Sequence, residues 1–262
     1  MDREALTFDV FVDHEIFSPG TRFRLTGRAV VGLVPSLFQL MAWDLPESEV
    51  YRLMNAKEIA VKRNQSCLAS GVISDVFQRT VPEGTVTYVA FSLGLDLWES
   101  FVSLFVDAGK TVSETVKEIL NVSGTGYQLL TFPGCDPVFS RGQAYLGRAA
   151  ECVEEALAVA SARGYLIPSA VGVIPADPPP AVLHLKESDL LDKPSYVDDR
   201  RKVILSTDVI GYQPGDEMDL EYKGRQIKGV ILERMIQADT KSGPWNTQLL
   251  VELDEARWRS TR

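Results

Sequence analysis

The chain has 262 residues, with 36 acidic against 27 basic side chains and a net charge of −9. That length is enough to bury roughly three quarters of the unfolded surface, in one large domain or two to three small ones. The acidic balance argues against affinity for nucleic acid or anionic lipid. The start, "MDREALTFDVFVD", lacks the basic residues and the run of about 7 to 15 apolar residues that make a signal peptide, so synthesis and residence in the cytoplasm are expected.

In chain order, "LTFDVFV" sets Leu6, Phe8, Val10 and Val12 on one face of a strand. The stretch Gly27 to Ser48 is almost apolar enough for a membrane span, but Arg28, Gly32, Pro35, Ser36, Gln39 and Asp44 break it, and no membrane insertion is expected. Its first part continues a strand in which Phe23, Leu25, Gly27, Ala29 and Val31 alternate with Arg22, Arg24, Thr26 and Arg28. After a turn at Val34-Pro35-Ser36, Leu37 to Trp43 is largely apolar on both faces. One side must fill a core, and the other, carrying Leu37, Gln39, Met41 and Trp43, is expected to meet a neighbouring subunit. A short helix is expected from Glu47 to Asn55 after Pro46. The strand-like runs "KEIAVK", "LASGVISDVF", "TVTYVAFSL" and "FVSLFVD" follow, punctuated like the rest by turns such as Ser18-Pro19-Gly20 and Pro82-Glu83-Gly84. These strands predict an antiparallel barrel or sandwich over residues 1–108, with a closed first barrel favoured because closure removes exposed edges.

At Gly109 the period changes to that of a helix. Val112, Val116, Ile119 and Leu120 share one face, and Thr111 with Glu114 forms a capping box. A strand-like "YQLLTF" follows. One longer helix is expected from Ser140 to Arg163, with Tyr145, Ala149, Cys152, Val153, Ala156, Leu157 and Ala160 on its apolar arc, and then a strand, turn and strand through "YLIPSAVGVIP". Residues 109–178 thus read as a small α+β domain. "ADPPPA" is a stiff linker, "KESDLLDKPSYVDDRRK" a charged loop, and the strands "VILS", "EMDLEY", "RQIKGVILERMIQ" and "TQLLVEL" predict a second barrel over 179–262. The fold class is therefore mainly β with an α+β insert.

Chemistry-bearing patterns are scarce. HExxH, GxSxG and the phosphate-loop motif are missing, and "SGTG" follows a helix where an anion cradle would open one. His14 and His184 are the only histidines, and Cys67, Cys135 and Cys152 suit buried small hydrophobes better than a disulfide or zinc site. Glu154 and Glu155 are expected on the solvated side of their helix, and Asp198-Asp199-Arg200-Arg201 in a solvated loop. Trp43, Trp98 and Trp245 suit core plugs, and Trp258 lies in an arginine-rich tail. No catalytic residue, cofactor or metal is expected.

The strings "GRAVVGLVPSLFQLMAWDLPES", "LASGVISDVF", "LWESFVSLFVDAGKTVSETVKEILNVSGTG" and "RGQAYLGRAAECVEEALAVASARGYLIPS" resemble the baseplate hub proteins of tailed bacteriophages, most strongly from Phe23 to Pro168. The resemblance implies a homotrimer in which each chain supplies two tube-type barrels, so that the ring matches the hexameric tail tube protein on one side and the trimeric central spike protein on the other. It also implies a place in the virion tail, among other baseplate proteins, and a lumen through which DNA passes without specific binding. An acidic lumen would suit that passage. Phe101 and Phe105 join Leu37, Gln39, Met41 and Trp43 as expected subunit contacts. The alternatives are a tail-associated muralytic enzyme or its carrier, and the hub of a type VI secretion spike.

Overall fold

A computed structural model of the chain describes residues 8–17, 21–63, 66–132, 134–174, 184–197, 201–209, 212–241 and 245–254. The proline linker, the turns around 18–20 and 242–244, residues 198–200 of the charge run and the tail with Trp258 lie outside the described residues.

The apolar alternation gives β1 (Asp9–Val12), which folds back through a turn with positive φ at Asp13 and His14 onto β2 (Glu15–Phe17). β3 (Phe23–Val30) and β4 (Ser36–Trp43) each bury alternate residues. Pro46, whose missing N–H is harmless at a helix start, precedes α1 (Glu47–Asn55), which turns Val50 and Leu53 inward. β5 (Glu58–Arg63), β6 (Ser66–Val81) and β7 (Gly84–Leu93) complete the first β region. A short α2 (Leu95–Glu99) leads to β8 (Phe101–Val106).

The middle unit opens with α3 (Val112–Ser123), where the expected capping box is formed. The Glu114 N–H donates to Thr111 Oγ1 at 3.2 Å and the Thr111 N–H to Glu114 Oε2 at 2.8 Å. Gly124 ends the helix in the left-handed conformation, so "SGTG" is a helix stop. β9 (Gln128–Leu129) is all that forms of the "YQLLTF" strand. β10 (Gln143–Arg148) comes next, then α4 (Ala149–Val159), β11 (Arg163–Ile167) and β12 (Ala170–Ile174).

The single helix expected from Ser140 to Arg163 is thus a strand followed by a shorter helix. The cause is tertiary. β8 leaves the large sheet, where it was expected as a strand of the first barrel, and pairs with β10 from Phe101↔Arg148 to Val106↔Gln143. Tyr145 is buried from either periodicity, so its spacing to Ala149 fits both readings.

In the last third, β13 (His184–Lys186) leads into the segment expected as a charged loop, which contains a 3-10 turn at Glu187–Asp189 and β14 (Ser195–Val197). β15 (Lys202–Thr207), β16 (Glu217–Tyr222), β17 (Arg225–Asp239) and β18 (Asn246–Leu253) follow at the expected places.

The protein is mainly β. Among the described residues a 13-stranded sheet runs β14-β15-β18-β17-β3-β4-β7-β6-β5-β1-β2, with β16 also on β17 and β13 on β16. Among the described residues no ladder closes either β region into a barrel of its own; the two are halves of one sheet, joined where β17 pairs antiparallel with β3 from Glu233↔Val30 to Asp239↔Arg24. β17 has a bulge between Ile231 and Glu233, which bends the strand. Before it, Ile231 packs into a core with Leu205, Leu220 and Val251; after it, Ile236 and Ala238 pack into another with Leu25, Leu40 and Val61.

Arg234, almost wholly buried just past the bulge, donates from Nη1 to the Tyr212 carbonyl at 2.8 Å and from Nη2 to the Leu68 carbonyl, and Gln213 Nε2 donates to the Cys67 carbonyl at 2.8 Å. Burial brings the Arg234 guanidinium down to about 10. The two β halves are therefore joined by side chains as well as by a ladder. The middle unit has its own core of α2, α3, α4, β8 and β10 side chains, entered by Leu33 from the β3–β4 turn.

Candidate functional site

β3, β4, β6, β7, β17 and β18 lie side by side and present one common face opposite the first core, that of Leu25, Leu40 and Val61. Following the registers across it gives cross-strand rows. One row reads Val72, Ser92, Leu37, Arg28, Met235 and Gln248. The next reads Asp75, Ala90, Gln39, Thr26, Gln237 and Asn246, and a third Phe77, Tyr88, Met41, Arg24 and Asp239.

The face curves around a groove of ≈ 780 Å³ lined by residues of the first two rows, including Thr26, Gln39, Gln237, Asn246 and Gln248. Gly27 permits this packing: Phe38 crosses it from the core side, and a Cβ there would sit 2.2 Å from the Phe38 ring.

The middle row is uncharged from Ala90 to Asn246. The cations that border the groove, Arg28, Arg24 and Arg22, are each held by an acid on β17, whereas Arg79, farther out in the row of Val86 and Trp43, lies 5.4 Å over the Phe77 ring. Arg28 makes a fork of two 2.8 Å hydrogen bonds to Glu233, and Arg22 and Arg24 both donate to Asp239, at 2.9 Å and 3.2 Å for their shortest bonds. The Asp239 carboxylate is wholly buried under the two arginines. These hydrogen bonds hold the Arg22 and Arg28 guanidinium groups above their ordinary range. Toward one end the Arg22 guanidinium lies 4.3 Å over the Trp43 ring, and Phe77 stacks on Tyr88 at 5.0 Å.

The six residues expected at subunit contacts therefore separate into two surfaces. Leu37, Gln39, Met41 and Trp43 point out of this sheet face, Leu37 being 63% exposed. Phe101 and Phe105 lie instead on the β8–β10 ribbon, where Leu146 of the opposite strand completes an apolar patch with exposures of 66%, 65% and 74%. Leu146 was missed because it fell inside the expected helix.

Three other expectations need correction. Glu154 is half-buried, and accepts a hydrogen bond from the Leu33 N–H at 2.9 Å, tying α4 to the β3–β4 turn. Burial raises its carboxyl pKa, opposed by the backbone donors of Leu33 and Gly164 and by Arg163. Glu155 is exposed as expected. Of the cysteines, Cys152 is buried, Cys67 half-buried and Cys135 exposed, all three free. Among the tryptophans, Trp245 fills the first core, whereas Trp43 is only half-buried.

His14 and His184 are exposed, near Glu58 and Asp219 respectively. Among the described residues no His, Cys, Asp and Glu side chains gather as a metal site, and no helix is long and apolar enough to cross a membrane.

No protein-family model and no curated protein matches the sequence. Solved structures do match in fold, over nearly the whole chain. The tail protein from Neisseria meningitidis MC58 aligns with a TM-score of 0.70 at 12% identity, covering 94% of this chain and 96% of that one. The E. coli c3393 protein, a component of the type VI secretion system described as structurally similar to the T4 bacteriophage tail proteins gp27 and gp5, aligns at 0.66 and 13% identity, covering 95% and 77%. The 43 kDa tail protein of prophage MuSo2 from Shewanella oneidensis aligns at 0.64 and 9% identity, covering 94% and 97%. The architecture is that of phage tail proteins and of a type VI secretion component.

Proposed function

We propose that the chain is a structural protein of a phage tail, a baseplate hub that assembles as a homotrimer between the hexameric tail tube and the trimeric central spike and surrounds the DNA conduit. The observation that carries this reading is the joining of two β halves into one sheet through the β3–β17 ladder. Two β halves per chain would let three copies present six modules to a six-fold tube.

The open ends of the sheet support ring formation. Beyond the Ile73 N–H bond to the Lys57 carbonyl, β6 from Ser74 to Val81 is paired on one side only among the described residues, and β14 is the edge strand at the opposite end. Two different edges on one chain suit head-to-tail contacts that close into a ring and hide the edges. In such a ring the grooved, polar-centred face looks inward to the conduit, and the Phe101, Phe105 and Leu146 patch contacts a neighbouring protein. Leu37, Gln39, Met41 and Trp43 then line the conduit wall, which differs from the contact role their apolar character suggested.

The role is architectural and not catalytic. Light scattering should give the mass of a trimer, alone or on addition of the tube protein, and electron microscopy should place it at the tube end. A monomer that stays single with both the tube and spike proteins present would overturn the reading. Turnover of peptidoglycan lost in Glu154→Gln or Glu155→Gln would favour a muralytic enzyme instead.

A further inference from the structure

We infer that the groove of this sheet face is a charge-masked wall, on which Glu233 pairs with Arg28 and Asp239 with both Arg22 and Arg24, so that a nucleic-acid duplex slides past without being held. This rests on the proposed reading of that face as the conduit lining.

The composition predicts a wall that repels phosphate through excess acid. The face itself is different. Its carboxylates on β17 pair with the three arginines that border the groove, Glu233 with Arg28 and the buried Asp239 with both Arg22 and Arg24. Between these pairs lies a row of hydroxyl and amide side chains, Thr26, Gln39, Gln237 and Asn246, with no formal charge.

A wall of free arginines would bind phosphates by releasing counterions, an affinity that falls steeply with salt. A wall of free carboxylates would repel the duplex and also the neighbouring copies bearing the same wall. Paired charges avoid both, while Arg24 and Arg28 still stiffen the sheet by bridging β3 to β17. Glu233 is the more informative position, since its partner Arg28 is the most exposed of the three arginines, with a side chain 62% accessible.

The test is fluorescence anisotropy of a short labelled DNA duplex titrated with the full-length protein over a range of ionic strength. The native protein should bind negligibly. Glu233→Gln, which frees Arg28, should bind measurably at low salt, with a log–log salt slope of about −1 for the one cation released. The double variant Arg28→Gln/Glu233→Gln, whose net charge equals that of the native protein, should return to negligible binding.

Glu118→Gln on α3 frees Lys110, which precedes the helix and lies away from the face, and controls for net charge alone. Equal gains in Glu233→Gln and Glu118→Gln would overturn the inference, as would salt-sensitive binding by the native protein. Gln237→Arg places an unpaired cation in the middle row. Binding by Gln237→Arg without binding by Glu233→Gln would refute masking but leave the conduit reading standing, whereas binding by neither would refute the conduit role of the face itself.

Discussion

The first and second cores differ in how far along the chain they collect their residues. The first takes Phe8 to Phe91 from one end and Ile236, Ala238 and Trp245 from the other, whereas the second is assembled between Leu97 and Val173 apart from the inserted Leu33. The difference teaches where cooperativity should lie. The large sheet can form only when both ends of the chain are in place, while the middle unit has most of what it needs locally and touches the sheet at few points. These include the Gly32 N–H to Gly164 carbonyl bond at 2.8 Å, the Leu33 N–H to Glu154 bond and the Arg163–Glu252 ion pair at 3.1 Å.

The largest expected effects come from emptying either core. Leu25 and Ile119 are each fully buried, and replacement by Ala should remove roughly 2–5 kcal/mol at either place. Hydrogen exchange should separate them. In Leu25→Ala the amides of β3, β4, β17 and β18 should all exchange faster, because one core holds both ends of the chain. In Ile119→Ala the acceleration should stay within residues 112–174. A global change in both variants would erase the distinction between the regions.

Arg234 tests the join between the β halves. Arg234→Met keeps most of the side-chain volume but leaves the Leu68 and Tyr212 carbonyls without their donor, so about 1–3 kcal/mol should be lost in denaturant unfolding. A gain would show that the desolvation of the buried guanidinium outweighs its two hydrogen bonds.

Thr111→Ala is smaller and local. It removes the cap of α3 at a loss of ~1 kcal/mol, with faster exchange from Val112 to Leu120 and little change in the sheet. Spread of the effect into β3 and β4 would show that the middle unit is not separable.

The smallest effect sharpens the seam. The Glu154 carboxyl has a folded pKa above its ordinary value, so the native state holds this proton more tightly than the unfolded chain. Its contribution to stability is fully present below the ordinary carboxyl pKa and is lost as pH rises through the folded one. Glu154→Gln keeps an oxygen for the Leu33 N–H without the charge. It should therefore be slightly more stable than the native protein at neutral pH and should lose that advantage on acidification; an advantage unchanged by pH would place the stabilisation elsewhere.

Local pattern was enough for several elements. The alternation of Phe23 to Val30, the helix at Glu47 after Pro46, and the Thr111–Glu114 box each follow from residues within a few positions of one another. Of the candidate surface, Leu37, Gln39, Met41 and Trp43 could be put on one side of a strand by period alone. Their neighbours could not. Met235, Gln237 and Gln248 join them only because β17 crosses to β3, and nothing in a stretch of sequence names a partner about 200 residues away.

The strand at Gln143 was hidden for a related reason. A tyrosine and alanine four apart satisfy a helix and a strand equally, and the choice is made by the unpaired edge of β8. The sequence by itself determined which residues avoid water and with what local period, since hydrophobicity and capping act over a few positions. Only the tertiary structure decided which strands meet, which arginines find a carboxylate, and that two β regions make one sheet, because backbone edges and buried charges are satisfied by partners that the fold, not the chain order, brings within reach.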